Sequence, residues 1–359
     1  MASTSPWTPA RPLETRPLRG DLRTEVCVVG GGIAGLSVAY RLSRAGKAVV
    51  LLESRWLGAG DTGLTTAHLS SALDERFTSL ERVHGKEAAR RAYESHQAAI
   101  EEIESIARDE AIECDLRRVD GYLFLGPGDS PDLLDRELRA AHRAGFHDVE
   151  ALAEIPGSTF EAGPCLRFPR QGRFHPLKYL AGLAAAVERH GGRIYTGSRV
   201  VGIERLGGPR ARTREGHAVR ADALVVATNA PIHDRVLVSS RQPAYRTYAI
   251  AAAVRPGEVA DALYWDTDDP YHYVRLQPSG RDGDLLIVGG EDHPTGEGPS
   301  GEEPWDRLAA WTRERFPAGE ITHRWSGQVL SRSTAWPTSA ATRWTAGASS
   351  SPPATPATG

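Results

Sequence analysis

The sequence predicts an α/β fold in which one domain is interrupted by a second. Three observations predict it. An apolar run at residues 26–29 leads through a glycine-rich turn and a helix-period segment into a second apolar run at 48–52. Strand and helix patterns alternate near both ends of the chain, while the middle is mixed. The 359 residues suffice for one large or two medium domains.

Taken in order, residues 1–20 hold Pro6, Pro9, Pro12 and Pro17 with little periodicity and read as an extended arm. Residues 26–29 suit a buried parallel strand. Residues 30–35 form a turn, and 36–45 have helical spacing that ends at Gly46. Residues 48–52 make the second strand, closed by Glu53. Residues 75–110 read as one or two amphipathic helices with Leu80, Ala88, Ala92, Ile100, Ile103 and Ile106 on the apolar side. A strand pattern returns at 121–125 and a helical one at 129–145. The proline-rich stretch 156–169 reads as a connection, followed by a helix from Pro176 through Val187. Residues 193–201 and 223–227 read as strands of a small sheet, and 245–254 and 285–288 as longer antiparallel strands.

Composition excludes several classes. Hydrophobic residues make up 40% and charged residues 25%, which is ordinary for a globular enzyme and wrong for disorder or collagen. A net charge of −3 gives no nucleic-acid footprint. The apolar runs are too short to span a bilayer, and the opening residues do not have the pattern of a signal peptide. Cys27, Cys114 and Cys165 show neither metal spacing nor a disulfide framework. A cytoplasmic location, no membrane, no nucleic acid and no metal are expected.

Gly30-Gly31-Gly32-Ile33-Ala34-Gly35 matches G-x-G-x-x-G, follows a strand, opens a helix, and has Glu53 18 residues beyond Gly35. Each part has a task. Gly30 allows the tight turn, Gly32 lets the backbone approach a pyrophosphate, and Gly35 lets helix pack on strand. Peptide N–H groups at the helix N-terminus, including those of Ile33 and Ala34, then face the phosphate charge. The Glu53 carboxylate accepts ribose hydroxyls. The fingerprint serves NAD as well as FAD, so an NAD-dependent dehydrogenase is the alternative at this point.

Four stretches carry a resemblance. They are residues 28–36 around the fingerprint, Thr65-Thr66-Ala67-His68-Leu69, Phe174-His175-Pro176, and Ala223-Leu224-Val225-Val226-Ala227-Thr228-Asn229. With them residues 20–330 resemble the D-amino-acid oxidase and glycine oxidase superfamily of FAD-dependent oxidoreductases. Pro270-Tyr271-His272-Tyr273-Val274-Arg275 and Gly289-Gly290-Glu291-Asp292-His293 look most like a branch often fused to a C-terminal Rieske domain. The resemblance implies a Rossmann-like FAD-binding domain of the glutathione-reductase type with an interleaved α+β substrate domain. The FAD-binding domain is then expected at 21–75 and 175–240, and the substrate domain at 76–174 and 241–330. It further implies that Glu53, followed by Ser54 and Arg55, binds the adenosine ribose. Val200 contacts the adenine through its backbone, Thr65, Thr66, Ala67 and His68 lie against the flavin, and Ala227-Thr228 pass close to the dinucleotide. NAD-dependent relatives do not account for the Thr65-Thr66 and Ala227-Thr228 motifs.

The implied reaction is hydride transfer from a small amine or amino-acid-like substrate, at a CH–NH bond, to FAD. His68, Tyr273 and Arg275 are the catalytic candidates, with Tyr271 and His272 beside them; an alternating strand packed through its aromatics is the plainer account of 271–275. Amino-acid-oxidising relatives clamp the substrate carboxylate with an arginine in a Gly-x-Arg-Pro element. The corresponding stretch is Trp325-Ser326-Gly327-Gln328, with glutamine in the arginine's place, which argues against a simple amino-acid carboxylate. The chain holds no Cys-x-His with Cys-x-x-His set, so no internal Rieske cluster is expected and the electron acceptor is external.

Residues 331–359 contain no Leu, Ile, Val, Asp, Glu or Lys, and the resemblance stops abruptly after Leu330. Back-translated with GC-rich codons and one base restored, this tail reads EPVDGLAYIGRNPMDGGRVFIATGDSGNG, which resembles the family's C-terminal flavin-binding segment. A frameshift is therefore expected after Leu330. On that expectation the chain is a catalytically impaired, truncated product with weak FAD binding.

Overall fold

The computed structural model describes residues 4–8, 11–158, 160–204, 208–229, 244–279, 283–296 and 301–330. The aberrant tail, 331–359, lies outside them. Fifteen strands and six helices are defined among the described residues. In chain order they are β1 (Leu22–Val29), α1 (Ile33–Arg44), β2 (Val49–Leu52), β3 (His68–Leu69), α2 (Phe77–His84) and α3 (Lys86–Asp109). Next come β4 (Arg117–Phe124), α4 (Asp132–Arg143), β5 (Glu150–Leu152), β6 (Cys165–Arg173), α5 (Pro176–Arg189), β7 (Arg193–Tyr195) and β8 (Val200–Glu204). Then follow β9 (Arg210–Thr213), β10 (Ala218–Val226), β11 (Ala244–Val254), β12 (Leu263–Asp266) and β13 (Tyr273–Pro278). β14 (Asp284–Pro294), α6 (Glu303–Arg315) and β15 (Ile321–Leu330) complete the order. Among the described residues no helix is long and apolar enough to cross a membrane.

The chain divides into two units. Among the described residues one comprises 12–59, 183–204 and 208–229, and holds a six-stranded sheet in the order β7-β2-β1-β10-β9-β8. β7, β2, β1 and β10 run parallel. Val49–Leu52 is buried along its whole length, as a parallel strand covered on both faces requires. Cys27, Val29, Val50, Leu52, Val219 and Leu224 pack together on this sheet. β9 pairs with β10 only at residues 218–220. From Asp222 to Val226 the outer edge of β10 meets no strand among the described residues, and Val226 is 37% exposed.

The other unit, among the described residues, comprises 4–8, 11, 60–158, 160–182, 244–279, 283–296 and 301–330, and holds a nine-stranded sheet ordered β15-β11-β14-β13-β12-β4-β6-β3, with β5 on β6. α6 packs Leu308, Ala309 and Trp311 against Val274, Leu276, Leu286 and Val288. The unit boundaries differ from the sequence-based ones, because 60–75 and 175–182 cluster with the nine-stranded sheet.

Several elements depart from the sequence reading. Of the one or two helices expected at 75–110 there are two, divided at Gly85 with φ +84°. The stretch 156–169 is not all connection, since β6 starts at Cys165. Pro169 is tolerated there because the β4–β6 register shifts between Val119 and Gly121, and the pairing skips residues 169 and 170. The strand expected at 193–201 is two, divided at Gly197 with φ +58°. The arm is not a free one. Ser5 and Trp7 are 3% and 2% exposed, and the Thr15 hydroxyl donates to the Ile194 carbonyl at 2.8 Å.

Candidate functional site

In the six-stranded unit the turn 30–35 forms a cradle with no room for side chains. Gly30 has φ +113°, and a Cβ there would lie 2.5 Å from the Ala227 carbonyl oxygen. A Cβ on Gly35 would lie 1.9 Å from the Gly30 carbonyl oxygen, and one on Gly31 would lie 2.7 Å from Leu57. Gly32 is the N-cap of α1, which begins at Ile33. Glu53 closes the cradle: its Oε2 accepts the Gly31 N–H at 2.7 Å, and its Oε1 accepts Ser54 Oγ and the Arg55 N–H, each at 2.8 Å.

The Ser198 N–H donates to the Glu53 carbonyl at 2.7 Å, bringing the start of β8, with the buried Val200, into the same strand-end cluster. The Ala227 N–H donates to the Val29 carbonyl at 2.8 Å, which sets Ala227-Thr228 beside Gly30. Arg55 turns away, donating to the Ala59 carbonyl and lying over the Trp56 ring. A glycine turn at a helix N-terminus, with a carboxylate from the end of the neighbouring strand hydrogen-bonded to it, fits the pyrophosphate and ribose of FAD.

In the nine-stranded unit the other candidates share one face of the sheet. Tyr273 lies across Gly289, where a Cβ would come within 2.2 Å of its ring, and its hydroxyl shares a 2.8 Å hydrogen bond with Thr247. His68 meets Tyr273 edge-on with ring centroids 5.4 Å apart, and its Nδ1 is 3.1 Å from Thr66 Oγ1. Ala67 has φ +62°, and its N–H donates to Thr65 Oγ1 at 3.0 Å. Tyr271 lies 5.5 Å from Tyr273, ring to ring.

Arg275 is fully buried. Its Nη1 donates to the Ala67 and Phe174 carbonyls, each at 2.9 Å, and its Nη2 donates to Gln277. Both terminal nitrogens of Arg275, expected as a catalytic group, are thus engaged by protein oxygens. His272 alternates to the opposite face, stacked 4.3 Å from Trp311, with its N–H and its Nδ1 each 2.8 Å from a carboxylate oxygen of Asp266. Gln328 requires a correction as well. Trp325 and Gly327 share the face that meets Leu64, so Gln328 falls on the other, opposite Arg246. Counted from Gly327, the arginine of Gly-x-Arg-Pro corresponds to Val329.

Sequence reasoning missed Asp292, which it quoted only inside a resemblance motif. Its Oδ1 is buried and unpartnered. Burial raises its pKa to about 6, the Asp74 charge adding to the rise and a Thr247 hydrogen bond opposing it. Trp7 was missed too, for an isolated tryptophan in a proline-rich arm gives no periodic signal.

The histidines set the pH response. Loss of solvation, then the Arg275 charge, pushes His68 down to about 3; loss of solvation, then the Lys178 charge, pushes His175 down to about 4. Both stay neutral in the folded chain, whereas the unfolded chain takes up protons below about pH 6.5. Stability therefore falls as pH drops from 6.5. At His272 burial works against the charge, but Asp266 and Glu291 win and raise it to about 9. Its contribution is complete below pH 6.5 and is lost as pH rises through 9. Urea unfolding at pH 5, 6.5 and 9 is expected to show a maximum at 6.5, each limb dropping by about 1–3 kcal/mol. His272→Gln should flatten only the alkaline limb, and a flat profile in the parent chain would contradict these assignments.

Residues 25–342 match the model of the FAD dependent oxidoreductase family, DAO. The chain is 31% identical over 332 residues to gamma-glutamylputrescine oxidoreductase of Escherichia coli (strain K12), covering 87% of this chain and 75% of that one. It is 28% identical over 331 residues to YhfW of Bacillus subtilis (strain 168), whose name describes a Rieske 2Fe-2S iron-sulfur protein. That match covers 90% of this chain, which spans 63% of the length of YhfW. Glycine oxidase from Geobacillus kaustophilus has the same fold, with a TM-score of 0.71 at 19% identity over 88% of this chain and 85% of that one.

Proposed function

The chain belongs to the FAD dependent oxidoreductase family, and from that premise we propose that it oxidises a small amine at the C–H bond next to nitrogen. FAD is its cofactor and, when bound, supplies the two-electron acceptor. Gly30, Gly32, Ile33, Ala34, Gly35, Glu53 and Ala227-Thr228 hold the ADP half. The observation that carries the substrate class is the buried Oδ1 of Asp292, which has no hydrogen-bond partner, on a carboxylate that Thr247 holds beside Tyr273. Asp292 draws in the ammonium form and, with a pKa near 6, takes its proton so that the nitrogen lone pair is free. Tyr273 is fixed by Thr247 and orients the substrate, while neutral His68 adds no charge to repel a cation. Arg275, engaged by main-chain carbonyls, offers no clamp for a carboxylate. The relative named gamma-glutamylputrescine oxidoreductase is consistent with an amine.

Anaerobic bleaching of the flavin by a panel of alkylamines, diamines and amino acids tests the reading. Amines are expected to reduce it fastest, and Asp292→Asn to lower kcat/KM for the best amine about 100-fold with the flavin retained. Faster reduction by amino acids, or no effect of the substitution, would contradict it. Among the described residues no strand pairs with the outer edge of β10 from Asp222 to Val226, which favours a second reading, in which the chain as written is impaired. The run Gly-Leu-Ala-Tyr-Ile-Gly in the alternative frame suits that edge. Exchanging 331–359 for the 29-residue alternative-frame string is then expected to tighten FAD binding, and unchanged affinity would remove this reading.

A further inference from the structure

Within the nine-stranded unit, β14 carries one residue more than its partner strand matches. β11 and β14 pair Tyr248 with Gly290 and Arg246 with His293, so Thr247 alone stands opposite both Glu291 and Asp292. That is a β-bulge, and Glu291 takes a left-handed conformation at its first position, with φ +59°. Glycine is the ordinary residue there, because a side chain is strained at positive φ.

The side chains show what the bulge does. Before it, even positions of β14 face α6, where Leu286 and Val288 pack, and odd ones face away, where Tyr273 lies across Gly289. An unbroken strand would continue that alternation, sending Asp292 toward α6 and Glu291 to the face of Tyr273. The observed order is reversed. Glu291 meets Arg307 of α6 at 2.7 Å and His272 at 3.7 Å. His293 stacks on Tyr248, whose ring meets Trp305 of α6 edge-on. Asp292 lies on the other face, with Thr247 and Tyr273.

The strained residue is held at both ends. Its carboxylate, 11% exposed, is fixed by Arg307 and His272, and Asp266 holds His272 in turn. Its carbonyl oxygen lies 3.2 Å from Nδ1 of His293, whose Nε2 is 3.4 Å from the Tyr248 hydroxyl. Non-glycine residues stay at positive φ only where their surroundings over-determine the backbone, and such strain gathers at functional sites.

We propose that Glu291 is a positioning residue: anchored to Arg307 and His272, it holds the bulge that turns the Asp292 carboxylate to the face of Tyr273 and Thr247. The assignment rests on the reading above that Asp292 receives the substrate ammonium. Glu291 acts through Asp292, from the opposite face of the sheet.

Substitutions at position 291 separate the backbone conformation from the charge. Valine lacks the anchor and resists positive φ, whereas glycine lacks the anchor and takes that φ without strain. Glu291→Val is expected to lower kcat/KM for the best amine about tenfold with the flavin retained. Calorimetric binding of tert-butylamine, which has no C–H bond next to nitrogen to oxidise, should weaken by a similar factor. Glu291→Gly should recover most of both losses. Arg307→Met, at a side chain 48% exposed, should act in the same direction by less, and serves should Glu291→Val fail to fold. Added to Glu291→Gly, the Arg307 change should have no further effect. Should Asp292→Asn impair the reaction while Glu291→Val and Arg307→Met do not, or should glycine prove as poor as valine, this assignment falls and the reading of Asp292 stands. An Asp292→Asn form that reacts like the parent overturns both.

Discussion

Gly35→Ala is expected to leave a chain that retains no FAD and unfolds well below the parent. A Cβ at that position would sit 1.9 Å from the Gly30 carbonyl oxygen, and the contact is with backbone, not with the flexible end of a side chain. α1 has to move off β1 to make room. Both consequences follow from that single displacement: the helix N-terminus leaves its place over the turn, and the packing of Leu36 and Ala39, both fully buried, is opened. Overpacking of this kind costs about 3 kcal/mol. The internal control is Gly60→Ala, where an added Cβ meets nothing within 4 Å and φ is −91°. There the effect should stay within about 0.5 kcal/mol. Urea unfolding and the flavin-to-protein ratio after gel filtration measure the two effects. A Gly35→Ala protein that keeps stoichiometric FAD would show that the turn is not the phosphate cradle.

The second large effect is expected from Arg275→Met, with reduction of the flavin by substrate slowed about 100-fold or more. Two forces oppose each other at this position. Burial disfavours the guanidinium, and its pKa is lowered to about 9 by loss of solvation and by the Arg173 charge, Asp261 and Asp115 pulling the other way. Methionine relieves that penalty and fills most of the volume. It also leaves the Ala67 and Phe174 carbonyls without donors in a site closed to water, at about 1–3 kcal/mol each. The orphaned carbonyls outweigh the relief, so stability should fall by about 2 kcal/mol. The loop carrying Ala67 at φ +62° loses its anchor and the rate falls further than the stability does. Lysine should not rescue, because a single ammonium cannot span Ala67, Phe174 and Gln277 together. The pKa of His68 should rise as well, since the Arg275 charge is the second cause of its depression. Imidazole NMR titration of the variant reads that shift, and an unchanged His68 with an unchanged rate would contradict the positioning role.

The two halves of the candidate site were not equally legible. The cradle was legible because its chemistry is local: Gly30, Gly32, Gly35 and Glu53 sit within one strand–turn–helix–strand unit, and the turn cannot tolerate side chains. The substrate face was not, because it is assembled across a sheet. Tyr273 reaches Thr247 only because Gly289, on the strand between them, has no side chain, and no sequence window contains all three. Arg275 looked like a site charge among aromatics, whereas in the structure it ties four segments together from within the core. His272 follows Tyr271 in sequence, yet strand alternation sends it to the α6 side, where it pairs with Asp266. β12 and β15 were hidden for a related reason: β12 is laid against β4 and β15 against β11, each far away in the sequence.

The account depends most on the cradle taking the ADP half of FAD, and one titration tests that directly. FAD is added to the purified chain and to its Glu53→Gln form, flavin emission is followed, and ADP is then used as competitor. Saturable binding that ADP displaces, weakened about 100-fold in Glu53→Gln because one oxygen that now accepts the Gly31 or Arg55 N–H is replaced by a donor, is the predicted result. Binding that is indifferent both to ADP and to the Glu53 substitution would contradict it.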